Sequence, residues 1–187
     1  MSNPCIAVLL VISGLLAACT VGSGDTSILS TGNGNSYTSR ITLHDGQITL
    51  HVKGAPNAVI DAAGDLTIDR QPITVNPAQR TLLQAYYRGA MAVRSHGIAT
   101  GKAGVAVAGQ AIASVARGLA SGDTDNIDKE VDAKAARVEQ EAQKICLDVV
   151  GVKSAQDALA TQVPAFKPYA GIVDANAVDE CSKQVTR

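Results

Sequence analysis

The chain has 187 residues, of which 46% are hydrophobic and only 3% are aromatic, and its formal net charge is −1. This length allows one compact domain, or a small domain with appendages. The near-zero net charge gives no reason to expect a nucleic-acid partner. Because the chain has one Phe and no Trp, its core must be built mainly from Ala, Val, Ile and Leu.

Residues 1–18 have the composition of a lipoprotein signal peptide. The segment 6–18 is almost wholly apolar, is too short to span a bilayer, and ends in the letters LAA directly before Cys19. This ending resembles the lipobox of bacterial lipoproteins, in which the cysteine is acylated and becomes the first mature residue. The alternative is an ordinary cleaved signal peptide followed by a chance cysteine. We expect lipidation of Cys19 and an anchor in the membrane.

Residues 19–36 are predicted to be the acylated cysteine and a flexible tether, because the stretch after Cys19 is rich in Gly, Ser, Thr and Asn. Thr20, directly after the cysteine, is not an aspartate. In enterobacterial lipoproteins that choice resembles the signal for sorting to the outer membrane. The expected location is therefore the bacterial periplasm, with the protein anchored by lipid to the outer membrane.

Residues 37–75 are predicted to form an antiparallel β-meander of four or five strands. Apolar and polar residues alternate over 40–52, around the dipeptide Asp45-Gly46, which is a strong hairpin signal. Three further short strands are predicted within 57–75. The predicted hairpin register pairs Leu43 with Ile48 and Ile41 with Leu50.

Residues 76–187 are predicted to be helical. Asn76-Pro77 suits the start of a long helix, because Asn can cap the first turn and Pro presets its φ angle. Apolar residues then recur every seven positions, at Met91, Ile98, Val105, Ile112 and Leu119. A second helix is predicted from Ile127 to Val149, a third from Ser154 to Pro164, and a last one over Asn176–Gln184.

Small residues beside this heptad line predict a groove in which another helix packs closely. They are Gly97, Gly101, Gly104, Ala108 and Ala111. In a membrane span such spacing would favour dimerisation, but Lys102 and Gln110 interrupt the apolar run. The expected occupant is therefore the second helix, whose charges are mainly acidic where those of the first are basic. The predicted fold is α+β: a meander, then a long antiparallel helical hairpin and short C-terminal helices, packed as one domain.

Two cysteines are expected to form a disulfide. Of the four cysteines, Cys5 would leave with the signal peptide and Cys19 would be acylated, so Cys146 and Cys181 remain. Both lie on apolar faces of predicted helices, and an exported protein meets oxidising conditions. A bond across a loop of about 35 residues would contribute roughly 3–4 kcal/mol in the chain-entropy model. The alternative is a pair of buried free thiols.

Three segments carry a family resemblance: HVKG at 51–54, NAVIDAAGDLTIDRQPITVNPAQR at 57–80, and KICLDVVGVKSAQDAL at 144–159. With the long Ala-rich helix between them, they resemble the YggN-like family of proteobacterial periplasmic proteins of unknown function. The resemblance implies an exported α+β protein, here with a lipoprotein-type signal. It supplies no catalytic residues.

The polar residues indicate no catalytic site and no metal site. His44 and His51 fall on the polar face of the first hairpin, too far apart to share a metal ion. His96 follows Ser95, but nothing in the sequence marks a carboxylate partner or an oxyanion hole. The aspartates at 61, 65 and 69 lack the dense spacing of a calcium loop. We therefore expect no enzyme activity and no cofactor.

Two classes of function remain open. The first is a non-catalytic structural or partner-binding module of the cell envelope. Its partner would be an unknown envelope protein or a second copy bound through the helices. The second is a lipid-binding or membrane-active protein that uses the Gly/Ala-rich helix over 90–119.

Overall fold

The computed structural model describes residues 26–33, 36–121 and 125–185. Six antiparallel strands precede two long helices, a 3₁₀ helix and a short third helix. The elements are β1 (Thr26–Asn33), β2 (Ser36–His44), β3 (Gln47–Val52), β4 (Ala58–Ile60), β5 (Leu66–Ile68), β6 (Gln71–Ile73), α1 (Pro77–Ser121), α2 (Asp125–Gln162), the 3₁₀ helix Pro164–Tyr169, and α3 (Ala175–Val185). The predicted α+β fold is therefore confirmed.

The sheet is a meander in which each strand pairs with its neighbour in sequence, in the order β1 to β6. Asp45 and Gly46 both have positive φ angles, 46° and 73°, which suits the tight β2–β3 turn. The pairing of Ile41 with Leu50 confirms the predicted register. Since neighbouring residues of a strand point to opposite faces, this register places the apolar residues of β2 and β3 on one buried face.

The prediction of a flexible tether over 19–36 is wrong for Thr26–Asn33, which forms the edge strand β1 and pairs with β2. The register shifts between Ser27 and Leu29, so β1 carries a bulge at Ile28. Ile28 and Leu29 both pack against the core although they are consecutive. A bulged strand with two adjacent apolar residues lacks the alternation by which strands are recognised. Residues 1–25, which include Cys19, lie outside the described residues.

The start of α1 is fixed by a reciprocal pair of hydrogen bonds. The backbone N–H of Gln79 donates to Asn76 Oδ1, and the backbone N–H of Asn76 donates to Gln79 Oε1, each at 2.9 Å. This is a capping box that begins with Asn, and it confirms the predicted helix start. The same Gln79 donates through Nε2 to the carbonyl oxygen of Gln162, at 2.7 Å. The first turn of α1 is thereby joined to the last turn of α2.

Helix α1 crosses the strands at the end of the sheet where the β2–β3 and β4–β5 turns lie. Arg80 forms an ion pair with Asp65, just before β5, and the hydroxyl of Tyr87 donates to the carbonyl of Gly46. Gly64, with φ of 78°, lies so close to α1 that a Cβ there would come within 2.7 Å of the carbonyl oxygen of Arg80. The β4–β5 turn therefore requires glycine at this position for two reasons, its backbone conformation and its contact with the helix.

The prediction of one helix ending near Val149 and another starting at Ser154 is wrong, because α2 runs without a break to Gln162. Ser154 and Asp157 have capping-box spacing but lie in the helix interior. Lys153 forms an ion pair with Asp157 one turn later, and the buried side chain of Val152 packs in the core. The predicted last helix over Asn176–Gln184 is confirmed as α3.

Gln156 positions the chain that follows the 3₁₀ helix. Its side chain is 0% exposed, and its Nε2 donates to the carbonyl oxygens of Ala170 and Val173 at 2.5 and 2.9 Å. Its Oε1 accepts from the backbone N–H of Val173 at 3.0 Å. A buried amide with satisfied donors and acceptor avoids the cost of burying polar atoms without partners. These bonds hold Ile172 and Val173 in the core.

Three aromatic side chains meet in the core. Phe166 packs edge-on against Tyr86, with ring centroids 5.7 Å apart, and against Tyr169 at 5.6 Å. The Tyr169 hydroxyl donates to the carbonyl oxygen of Pro56 at 2.6 Å, whereas the buried Tyr86 hydroxyl has no partner among the described residues. Burial raises the pKa of Tyr86, so its phenol stays protonated as an unsatisfied polar group.

We therefore expect the two tyrosine hydroxyls to have opposite effects on the free energy of unfolding. Tyr86→Phe removes an unsatisfied buried group and should leave stability unchanged or raise it by about 1 kcal/mol. Tyr169→Phe leaves the carbonyl of Pro56 without its donor and should cost about 1–2 kcal/mol. Urea unfolding of the two variants beside the wild type measures this difference. Equal destabilisation by both would contradict the assignment.

Candidate interaction surface

The hairpin of α1 and α2 extends well past the core. Among the side chains that the structure describes, Val93 is the last core residue of α1, and Cys146 is the first buried residue of α2. Residues 94–121 of α1 and 125–145 of α2 form what we call the arm. Among the side chains that the structure describes in the arm, none is buried. At 1.5 Å per residue, the α1 part of the arm is about 40 Å long.

The arm exposes the heptad line that was expected to pack against α2. Ile98 is 43% exposed and Val105 is 75% exposed. Met91, at the start of the line, still packs against the core. The prediction that this line faces α2 is therefore wrong between Ile98 and Val105. Two large aliphatic side chains on one helix face are left open to solvent.

The predicted helix-packing groove is also wrong at its three glycines. A Cβ added to Gly97, Gly101 or Gly104 would meet nothing within 4 Å. Ala108 is exposed, and the side chain of Ala111 lies outside the described part of the chain. The glycine that does meet α2 is Gly89, where an added Cβ would lie 2.7 Å from Val152 Cγ2.

The rotation of α1 about its own axis is set where the helix lies on the sheet. This explains why neither the heptad line nor the glycine groove faces α2 as predicted. Leu83, Tyr86, Ala90 and Val93 are buried there, at spacings of three and four residues. A regular helix turns by about 100° per residue, so this burial decides which line faces α2 further along. The heptad line lies about a quarter turn away. Periodicity alone shows that a line is apolar but not which neighbour it meets.

One polar contact joins the two helices at the base of the arm. His96 Nδ1 lies 2.5 Å from Asp148 Oδ2, and both side chains are partly buried. No local sequence pattern predicts this partner, which lies 52 positions away. Because Asp148 belongs to the turn of α2 that also carries Cys146 and Val149, the contact fixes the relative height of the two helices. It points to a structural role for His96.

The predicted disulfide is confirmed. Cys146 on α2 and Cys181 on α3 are bonded, with Cα atoms 5.0 Å apart and 35 positions between them in sequence. The bond lies on the side of α2 that packs against α3. It fastens the last helix to the body and leaves the arm unconstrained.

A chain of hydrogen bonds around His51 was not predicted. His51 Nε2 lies 3.0 Å from Thr42 Oγ1, and Nδ1 lies 3.0 Å from Asn57 Oδ1. In the neutral ring, Nδ1–H donates to the Asn57 oxygen and Nε2 accepts from the Thr42 hydroxyl. Although this order resembles a hydrolase triad, Thr42 is only 1% exposed, so its oxygen is shielded from a substrate. The contacts tie β2, β3 and the β3–β4 connection together.

The acidic residues between β4 and β6 lie in the two turns that join these strands. Asp61 Oδ1 accepts the backbone N–H of Asp65 at 2.9 Å, and Asp65 itself pairs with Arg80. Asp69 occupies the β5–β6 turn with φ of 50°. Within the described ranges, no three His, Cys, Asp or Glu side chains are grouped closely enough to hold a metal ion. Nor does any described helix have a stretch both long and apolar enough to cross a membrane.

Comparison with known proteins gives one match. Residues 36–126 match the model of a family described as "Protein of unknown function (DUF2884)". The matched region runs from β2 through α1 to the start of α2, so it includes five strands and the α1 part of the arm. Searches of curated proteins and of solved structures find no significant match. The match supports similarity to an uncharacterised family and does not assign an activity.

The contact between Gly89 and Val152 predicts where α1 tolerates a side chain. Gly89→Ala should destabilise the protein by about 1–3 kcal/mol, because the new methyl group would collide with Val152. Gly104→Ala is the matched control on the same helix, and there alanine should stabilise by about 0.5–1 kcal/mol through helix propensity. Thermal unfolding followed by circular dichroism measures both. The assignment fails if Gly104→Ala proves the more damaging change.

Proposed function

We propose that this protein is a lipid-anchored, non-catalytic module of the bacterial cell envelope that binds a partner through its arm. The observation that carries the proposal is the line of exposed aliphatic side chains at Ile98 and Val105. Large apolar side chains grouped on an exposed surface are typical of interaction sites. They lie on the arm, whose described side chains include no buried residue.

Two further features support placement in the envelope. The LAAC ending at Cys19 resembles a lipobox, and the residue after it favours the outer membrane. The Cys146–Cys181 bond is typical of proteins that fold in an oxidising compartment such as the periplasm. The resemblance of three segments to the YggN-like family is in line with export. In this proposal the protein needs no cofactor and binds no nucleic acid.

The polar clusters of the body support the non-catalytic part of the proposal. The Thr42 hydroxyl next to His51 is buried, and His96 is held by Asp148 between two helices. Each histidine therefore has a structural partner. Both ring nitrogens of His51 and Nδ1 of His96 are engaged by these partners, which favours structural roles over general-base catalysis.

A second candidate function is binding of the arm to a lipid surface. The observation that favours it is the charge of α1, which has no Asp or Glu among its 45 residues. Arg88 and Lys102 are exposed on the helix that also exposes Ile98 and Val105. Basic residues beside apolar ones suit the headgroup region of an anionic bilayer.

We expect the anchor to be detectable by mass. Mass spectrometry of the N-terminal peptide from the membrane fraction should show an acylated Cys19 as the first residue. The expected mass gain comes from the acyl chains, which hold a protein in a bilayer when more than one is attached. Cys19→Ser is the control, and it should prevent both the modification and the cleavage. A soluble protein with an unmodified mature terminus would contradict the anchor.

Binding through the arm is tested by photo-crosslinking in intact cells. Val105 is replaced by a photo-reactive amino acid in one strain, and Gln140, exposed on the α2 side of the arm, in a control strain. Position 105 should give a defined protein product that position 140 gives weakly or not at all. Products confined to lipid would favour the second candidate function. Equal labelling at both positions, or none at either, would contradict a binding surface at Val105.

A further inference from the structure

We propose that the partner of the arm is a second copy of the same chain, bound by antiparallel packing of α1 against α1 of that copy. The inference rests on the proposed function and deepens it, because it names the partner. Its basis is the heptad line at Met91, Ile98 and Val105 together with the small residues Gly101 and Ala108 beside it, which continue a helix face that is partly buried in the body.

The line starts at a partly buried residue of the body and continues into exposed positions of the arm. Tyr87, one turn before Met91, donates to the β2–β3 turn, and Met91 packs against the core. Ile98 and Val105 continue the same helix face beyond the edge strand β1 and are exposed. Where α1 lies on the sheet, the side chains of this face therefore contact other parts of the body. The uncovered part presents the same kind of surface without a partner from the described residues.

Helix α2 is not the missing partner. It meets α1 through a different line, at Gly89 against Val152 and at His96 against Asp148. The exposure of Ile98 and Val105 and the open space around Gly97, Gly101 and Gly104 show that α2 leaves both the heptad line and these small residues free. Because α1 and α2 already pack through these residues, the heptad line could face α2 only if α1 rotated on the sheet.

A strict seven-residue repeat indicates a helix as the occupant. Sustained spacing of 3.5 residues keeps an apolar line in contact with a second helix as the two wind around each other. A flat lipid surface makes no such demand, because it accepts any broad apolar face. In sequence, the spacing of the line continues to Ile112, Val115 and Leu119.

The alternation of large and small residues makes the line complementary to itself. Ile98 and Val105 are large, and Gly101 and Ala108, three positions after each, are small. When two copies run antiparallel about a two-fold axis near residue 103, Val105 lies opposite Gly101 of the second copy. Ile98 then lies opposite Ala108 of that copy. Each large side chain meets a small one, and the two-fold axis makes every such contact occur twice.

The charges near this pairing all have the same sign. Of the flanking positions Ser95, Gly97, Lys102, Gly104 and Gly109 only Lys102 is charged, and Arg94 lies in the line between Met91 and Ile98. A two-fold axis near residue 103 places Lys102 beside Lys102 of the second copy, on the exposed edge of the pairing, where their repulsion is screened by salt. The glycines on the flanks allow the two backbones to approach closely.

The contact area indicates a weak dimer. A helix face about 40 Å long and about 10 Å wide covers roughly 400 Å² per chain. The total of roughly 800 Å² lies below the range of stable complexes and suits a transient one. Anchoring both copies in one membrane would raise their effective concentration and favour pairing there.

Sedimentation velocity of the purified full-length protein in detergent tests the dimer. The wild type should show a dimer fraction that grows with protein concentration. Val105→Glu should weaken dimerisation more than tenfold, because the pairing would bury a carboxylate without a partner. Gln140→Glu adds the same charge on the α2 side of the arm and should leave the dimer unchanged. Position 105 is 75% exposed, so the monomer should keep its helical content and melting temperature.

A size exchange tests the pairing itself. Gly101→Val and Val105→Gly should each weaken the dimer, because large would face large or small would face small. The double variant restores the alternation in reverse and should recover much of the lost affinity. Such recovery would not follow if the two substitutions acted only on the stability of each monomer. A double variant weaker than either single one would overturn the antiparallel register.

The outcomes also separate this inference from the proposed function. A wild type that stays monomeric at its highest soluble concentration would overturn the second copy as partner. So would a photo-crosslink from position 105 to a different protein, although that result would leave the proposed function standing. A crosslink to lipid alone would overturn the dimer and favour the second candidate function. A product with twice the mass of the chain, lost in Gly101→Val, would support the dimer.

Discussion

The contact of Phe166 with Tyr86 and Tyr169 is the point at which the layers of this protein meet. Tyr86 belongs to α1, Phe166 and Tyr169 belong to the 3₁₀ helix, and the Tyr169 hydroxyl binds the backbone between β3 and β4. With so few aromatic residues in the chain, the rest of the core is aliphatic and each side chain buries less area. The trio therefore determines how close the helices come to the sheet. Gln156 and the capping box of α1 then secure the two ends of the helix pair on this body.

The same arrangement explains why none of the side chains that the structure describes in the arm is buried in the core. The sheet offers α1 a surface only as wide as its six strands, roughly 24 Å. Helix α1 is much longer than that and continues past β1, together with α2. Burial on the sheet decides the rotation of α1, so it also decides which line the arm exposes. The candidate interaction surface thus follows from packing at the opposite end of the same helix.

Much of the body could be predicted from local chemistry. Asp45-Gly46 determined the first hairpin and its register, Asn76-Pro77 marked the start of α1, and counting cysteines identified the Cys146–Cys181 bond. The hairpin and the helix start depend on neighbouring residues, and the disulfide was identified by eliminating the other two cysteines. The strand β1 was missed because a bulge removes its alternation, and α2 was split because Ser154 and Asp157 imitate a helix start. The surface of the arm was predicted to be apolar, but its exposure depends on long-range packing that periodicity does not encode.

One helix therefore contains two levels of stability. Between Leu83 and Val93 the backbone of α1 is shielded by core side chains, and opening it would disrupt the whole body. In the arm the same helix has only intermediate or exposed side chains among those described, so its hydrogen bonds can open locally. Amide protons should exchange with solvent much faster in the arm than at the base of the same helix. A partner can thus bend or partly unwind the arm at little energetic cost, while the sheet and the disulfide keep the point from which the arm extends fixed.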